Sequence, residues 1–324
     1  MYDVLRLLDT SFRTIAADME QWFSPYPRGA AWYVVSDYCI ADARKANDAF
    51  SYVIALNHDT QANIAEYIAA VAPSDIKGSR SASPGLISYL RSPVAFSVSY
   101  IVERQSKLLR DYITDENIIA SLPDLRELIA LFKRDSPAAV PYFQLVDKRL
   151  AAFEQDMKRR NRNSSLARRI HLCAAFAAIL FKHLDAQKAP AFIRWISDRD
   201  AMFDRHDHLT FDLAYIYFQL LRSMTSEVPD RPRFEFGLPL MDGIKEYAEL
   251  IRLPDYLAGT LADLTLPALE FTHNKFRPVF ADVFVNSPNN AVIEVLGSQG
   301  KVTTRRVGFS ALSPLNAAHL FKGS

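Results

Sequence analysis

The sequence predicts an α/β (α+β) layered fold: a mixed β-sheet flanked by helices, with a large helical insertion. Three observations lead there. Short β-branched and aromatic runs recur at residues 31–41, 49–56, 94–103 and 191–200. Stretches with apolar spacings of three and four lie among them. Residues 104–190 carry helical periodicity with almost no strand signal until the last of those runs begins. A sheet covered by helices satisfies all three.

The elements follow in order. Leu5, Leu8, Phe12, Ile15 and Met19 give residues 2–23 one apolar helical face, and the SPYPRG stretch at 24–29 ends it. AWYVVSDYCIA (31–41) and AFSYVIAL (49–56) read as a hairpin around the polar turn 41–48. Residues 60–73 form a helix with Thr60 as N-cap and Pro73 beyond its end. SDIKGSRSASPG (74–85) is a polar connector, and VAFSVSYIVE (94–103) is a third strand. Helical segments are expected at 105–116, 122–134, 140–160 and 165–186, and a strand again at 191–200. Residues 209–224 are ambiguous, because composition favours strand and length favours helix. A short strand at 233–240, helices at 243–252 and 253–272, and hairpin material at 279–309 complete the chain. This organisation is one domain over 1–324, with the 104–190 insertion inside it and a hairpin-like extension at 273–324.

Composition excludes several classes. The 324 residues are 49% hydrophobic and 23% charged, enough apolar surface for a core. With 38 basic and 37 acidic side chains, any nucleic-acid binding must come from a local patch. The longest nearly apolar run, Leu172 to Phe181, is ten residues, against about 20 for a membrane span, so no membrane partner is expected. The first 23 residues carry acids and no clean apolar stretch, unlike a signal peptide. Cys39 and Cys173 make neither a disulfide framework nor a zinc motif, which suggests a reducing, cytoplasmic setting. Phosphate-loop, dinucleotide-binding, zincin, nucleophile-elbow and EF-hand signatures do not occur.

What remains is a set of acids near strand ends and helix starts. Asp37 interrupts the apolar run Val34–Ile40, and a buried carboxylate needs a cation or donors to meet it. Asp198 and Asp200 follow a strand in WISDRD, where α/β proteins place ligands, though a plain turn has the same composition. Asp255 follows Pro254, as in a first helical turn, and Ala258, Gly259 and Ala262 would let that face approach a sheet. Lys77 in DIKGSR could neutralise a phosphate. His206 and His208 offer a pair without a third ligand, so a polar loop is the expectation there.

In their joint order, these residues resemble the ribonuclease-H-like superfamily, nearest to the bacterial and phage family called domain of unknown function 3800. The counterparts are Ser36-Asp37-Tyr38, Asp75-Ile76-Lys77-Gly78-Ser79, Asp198 or Asp200, and Leu253-Pro254-Asp255-Tyr256-Leu257-Ala258-Gly259, spanning about 31–103 and 191–265. Tyr38 and Cys39 stand where that family has Glu and Ser; Asp42 or Asp75 could replace the missing acid. The resemblance implies that Asp37, Asp198 or Asp200, and Asp255 bind one or two Mg²⁺ or Mn²⁺ ions, with Lys77 on phosphate, for phosphodiester hydrolysis. Carboxylates 4 Å apart repel by about 4 kcal/mol per pair at an effective dielectric of 20, and metal would relieve this. A catalytically degenerate relative that binds nucleic acid or protein is the alternative implication of Tyr38. An unrelated small-molecule α/β enzyme is a further possibility, separated by whether the acids converge. Within the insertion, Lys158, Arg159, Arg160, Arg162, Arg168 and Arg169 place six basic residues in twelve, which suits a nucleic-acid backbone or simply an exposed helix end.

Overall fold

In the computed structural model, residues 2–103, 108–223, 232–240, 243–298 and 301–310 are described. Helix α1 (Tyr2–Phe23) leads into the hairpin β1 (Ala31–Cys39) and β2 (Asn47–Leu56). Helices α2 (Gln61–Val71) and α3 (Pro84–Leu90) precede β3 (Ala95–Glu103). The insertion comprises α4 (Leu108–Tyr112), α5 (Asp115–Asp135), α6 (Val140–Lys158) and α7 (Ser164–Lys188). After β4 (Phe192–Ser197) come α8 (Ala201–Asp204), α9 (Leu209–Ser223), β5 (Arg233–Gly237) and α10 (Glu246–Asp263). Helix α11 (Phe276–Val279) continues as a π-helical stretch over Phe280–Val285, followed by the hairpin β6 (Asn290–Ser298) and β7 (Lys301–Val307).

The described strands form one mixed sheet in the order β5-β4-β1-β2-β3-β6-β7. Strand β2 runs antiparallel to both β1 and β3, β4 and β5 run parallel to β1, and β6 pairs parallel with β3. The expected mixed sheet flanked by helices is thus present, with the insertion between β3 and β4. The C-terminal hairpin, expected as an extension, widens this same sheet beyond β3.

Strand alternation sorts side chains between two cores. Trp32, Val34 and Tyr38 of β1 face α1, α7 and α9 with Phe50, Tyr52, Phe96 and Trp195. Tyr33, Val35 and Cys39 face α2, α3 and α10 with Val53, Ile101 and Ile196. Asp37, between Val35 and Cys39 in this alternation, therefore belongs to the α10 face. On the other face α7 runs through the core, with every residue from 170 to 185 buried. This helix is long and apolar enough, by length and composition, to cross a membrane; 78% of its apolar window is buried inside the protein.

Three sequence expectations change. Residues 209–223 are helix, because α9 packs its apolar face on α7 and buries Leu209, Leu213, Ile216 and Tyr217; residue 224 lies outside the described residues. The two helices expected at 243–252 and 253–272 are one, α10, with Pro254 in its interior. A mid-helix proline costs roughly 3 kcal/mol, offset here by burial of Leu250, Leu253, Tyr256, Leu257 and Leu261. The chain leaves the helix after Asp263 into a turn closed by the Thr265–Glu270 bridge. Finally, 279–285 is helical rather than hairpin, and the hairpin begins at Asn290.

Helix α10 is fastened to the start of β2. Asn47 Nδ2 donates to the carbonyls of Leu261 (2.9 Å) and Leu264 (2.7 Å), and Lys45 Nζ reaches Asp263 Oδ1 at 2.6 Å. Replacing Asn47 with Ala leaves two carbonyls at the helix end without this donor. The expected loss is about 1–3 kcal/mol of stability, read as a lower urea midpoint at an unchanged slope.

Candidate metal centre

Asp37 lies two pairing positions before the end of the β1–β2 ladder, opposite Ser51 on β2. Ser51 Oγ and Ser99 Oγ, 2.8 Å apart, continue a row of small hydroxyls away from it across the sheet. Asp198 follows the last paired residue of β4, and its N–H donates to the Ser36 carbonyl at 2.9 Å, extending the β1–β4 ladder by one bond. That extra bond brings Asp198 beside Asp37. From above, α10 delivers Asp255, which is 4% exposed. Asp198 and Asp255 each lie within hydrogen-bonding reach of the Asp37 carboxyl, contacts that require a shared proton.

The connector before α3 closes the site. Asp255 Oδ2 accepts the Ile76 N–H at 2.9 Å, and Lys77 Nζ stands 4.0 Å from Asp255 Oδ1. The stabilisation expected from a helix N-terminus does not apply to Asp255, which sits mid-helix; the Ile76 amide and the Lys77 ammonium take that part. Gly259 makes room for the connector: a Cβ there would stand 3.3 Å from Ile76 Cγ2 and 3.4 Å from Phe276 Cε1. The small residues of α10 thus serve close approach to this turn as well as to the sheet.

Electrostatics mark the cluster. Burial, then the charges of Asp255 and Asp198, hold the Asp37 carboxyl well above the usual carboxylate range, with Lys77 opposing. Burial likewise raises Asp198, against the Arg199 N–H, and Asp255, against Lys77 and the Ile76 N–H. Desolvation works to lower Lys77, yet Asp37 and Asp255 raise it overall. Asp37 Oδ1 is buried and takes no hydrogen bond among the described residues. Asp75 lies at the rim, 67% exposed and 3.8 Å from Arg252, close enough to push up both Asp198 and Asp255.

The other sequence candidates fall elsewhere. Asp200 is the N-cap of α8, accepting the Met202 N–H at 2.8 Å. Asp42 binds Arg44, whose hydrogen bonds bring its carboxyl down to about 2. Tyr38, at the position of the expected Glu, points to the α7 face. Its hydroxyl meets Ser36 Oγ (2.6 Å), Ser197 Oγ (3.0 Å) and Cys173 Sγ (3.2 Å), and Ser36 Oγ accepts Trp195 Nε1–H at 2.8 Å. A side chain at 38 stands across the sheet from Asp37, so its identity leaves the acid trio intact. In the basic stretch, Lys158 pairs with Glu154, Arg159 with Asp156, and both Arg162 and Arg168 with Asp115. Arg160 is exposed, and Arg169 Nε is buried without a partner among the described residues.

Lys275 has no signal in the sequence, yet its ammonium donates to three carbonyls of the connector: Ile76 (2.5 Å), Lys77 (3.1 Å) and Ser79 (3.2 Å). It thereby holds the turn that presents Ile76 N–H and Lys77 to Asp255.

As the side chains stand, no three His, Cys, Asp or Glu groups among the described residues form a set that could hold a metal ion. Asp37 meets its two neighbours pairwise. Comparison with family models, with curated proteins and with solved structures gives no match.

Two outcomes are expected without any cation. A carboxyl whose pKa is raised on folding stabilises the fold fully below its ordinary value near 4, and that contribution is lost as pH rises through the raised value. At pH 7 the trio therefore lowers stability. In EDTA, Asp37→Asn unfolds several degrees above wild type at pH 7, and the two curves converge as pH approaches 4; a lower midpoint at pH 7 would contradict this. Lys275→Met removes the clamp on the connector, weakening the two groups, Lys77 and the Ile76 N–H, that oppose the upward shift of the Asp255 carboxyl. Its carboxyl, followed by carbon-13 NMR, titrates higher than in wild type, and stability falls by about 1–3 kcal/mol.

Proposed function

We propose that the protein is a divalent-cation-dependent phosphodiesterase acting on nucleic acid, built on a ribonuclease-H-like variant of the mixed sheet. One observation carries this reading: Asp37, Asp198 and Asp255, from three distant stretches of chain, converge on one face of the sheet with an orphaned buried oxygen among them. Two buried acids, Asp37 and Asp255, and the half-buried Asp198 stand beside one exposed lysine, Lys77, so charge on the trio must be offset by protons or by a cation.

The residues fit Mg²⁺ or Mn²⁺. Every acid donor is a hard carboxylate oxygen, as those ions prefer. Asp37, Asp198 and Asp255 would hold the cation, with Asp75 within reach at the rim. Their pairwise contacts would open as the carboxylates re-aim and release the shared protons. When bound, the cation supplies Lewis-acid stabilisation of a phosphoryl oxygen and an activated water. Lys77, exposed at the mouth and 4.0 Å from Asp255, binds a phosphate oxygen and orients the scissile group. Ile76 N–H and Lys275 keep Asp255 and Lys77 in place for this.

The test is thermal unfolding with and without Mn²⁺, on wild type and Asp37→Asn together. Metal at 100 times its dissociation constant stabilises wild type by about 2.7 kcal/mol. The shift disappears in the variant, and Mn²⁺-dependent cleavage of a labelled oligonucleotide disappears with it. Equal shifts in both proteins, or none in either, would remove the acid cluster from this role.

A further inference from the structure

We propose that the small cavity where the end of α6, the turn at 159–163 and the end of α8 meet is a phosphate-binding pocket that anchors the backbone of a nucleic acid reaching the acid cluster. Its position relative to that cluster rests on the function proposed above; binding of the phosphate itself does not.

The cavity measures about 90 Å³ and is lined by Arg159, Arg162, Arg205, Asn161, His206 and Asp156, among others. At about 30 Å³ per water, it has room for a group the size of one tetrahedral oxyanion. Guanidinium groups match phosphate oxygens by paired, charge-assisted hydrogen bonds. The one acid on the wall is occupied: Asp156 Oδ1 takes Arg159 at 2.7 Å, and Asp156 Oδ2 stands 3.9 Å from His206. Arg162 is held by Asp115 at 2.6 Å, which fixes its direction. Arg205 is exposed and makes no ion pair among the described residues. Positive charge is in excess around these groups. Burial, and then the neighbouring Arg110 and Arg169, hold the Arg168 guanidinium below its usual value despite Asp115.

The pocket is tied to the sheet end that carries the acids. Arg205 follows Asp198 by seven residues, with α8 between them. At about 3.5 Å per extended and 1.5 Å per helical residue, that separation is at most about 20 Å. Phe203 of α8 stacks on Tyr38 with ring centroids 6.1 Å apart, which places α8 on the α7 face, across the sheet from Asp37. A strand held by one phosphate here would pass round the end of the sheet to bring a later linkage to Lys77 and the acid trio.

The experiment uses the whole protein in EDTA and a fluorescent oligodeoxythymidylate of about 12 nucleotides, read by anisotropy across a salt series. Arg205→Gln weakens binding about tenfold and lowers the slope of log K against log salt by about 1, with an unchanged unfolding midpoint because the side chain is exposed. Inorganic phosphate competes with the oligonucleotide on wild type and loses most of that effect on Arg205→Gln. Asp37→Asn binds at least as tightly as wild type. Unchanged affinity and slope in Arg205→Gln, or no oligonucleotide binding by wild type, would overturn the pocket. Failure of the acid-site reading shows separately, as a Mn²⁺ response that Asp37→Asn does not alter.

Discussion

The structure is organised around one unfavourable placement: an aspartate carboxyl on an interior strand, with apolar residues two positions to either side on its own face. Asp37 is 2% exposed and shares its space with two further acids. Desolvation and like-charge repulsion both oppose ionisation there. Such an arrangement persists only where surrounding packing over-determines it, and the two cores of this fold do so. Trp32, Val34 and Tyr38 lock β1 against α7 from one side, while Tyr33 and Val35 lock it beneath α10 from the other.

The same logic explains why so many polar contacts gather near the site without touching it. Ser36, Tyr38, Ser197 and Trp195 form a hydrogen-bonded group on the far face, where β1 and β4 run side by side toward their two acids. Asn47 and Lys45 fix the end of α10. Lys275 gathers three carbonyls of the connector, doing for that turn what a structural cation does elsewhere. Each satisfies backbone or hydroxyl groups that would otherwise be buried unpaired, and each removes one freedom from an element bearing an acid or Lys77.

Much of this was legible in the sequence because it obeys local rules. A lone acid in an apolar strand stands out, and the continuous apolar run around Asp37 marked it as a carboxylate in need of partners. Asp198 at a strand exit and Asp255 in an apolar helix were visible for the same reason. Other features depend on partners far away in sequence. Whether Pro254 starts a helix or sits inside one depends on how much apolar surface α10 buries. Residues 209–223 carry strand-like side chains and become helix because α7 offers them a surface. Asp200 and Asp198 are indistinguishable by composition, and the helix cap at Met202 separates them. Lys275 and the pairing of Arg162 and Arg168 with Asp115 leave no local trace, since a lysine or arginine reads the same whether it is solvated or clamped.

The parallel pairing of β3 with β6 sets a different kind of limit. Ser97 aligns with Asn290, so the sheet gains this neighbour only after the whole insertion and both acid-bearing segments beyond it have been made. Until then β3 is an open edge, rich in β-branched and aromatic residues and able to pair with another chain. Contacts so distant in sequence form slowly. The long insertion and α10 thus stand between an early hairpin and its completion, and a cell making this protein must keep that edge single for the time the remaining chain takes to emerge.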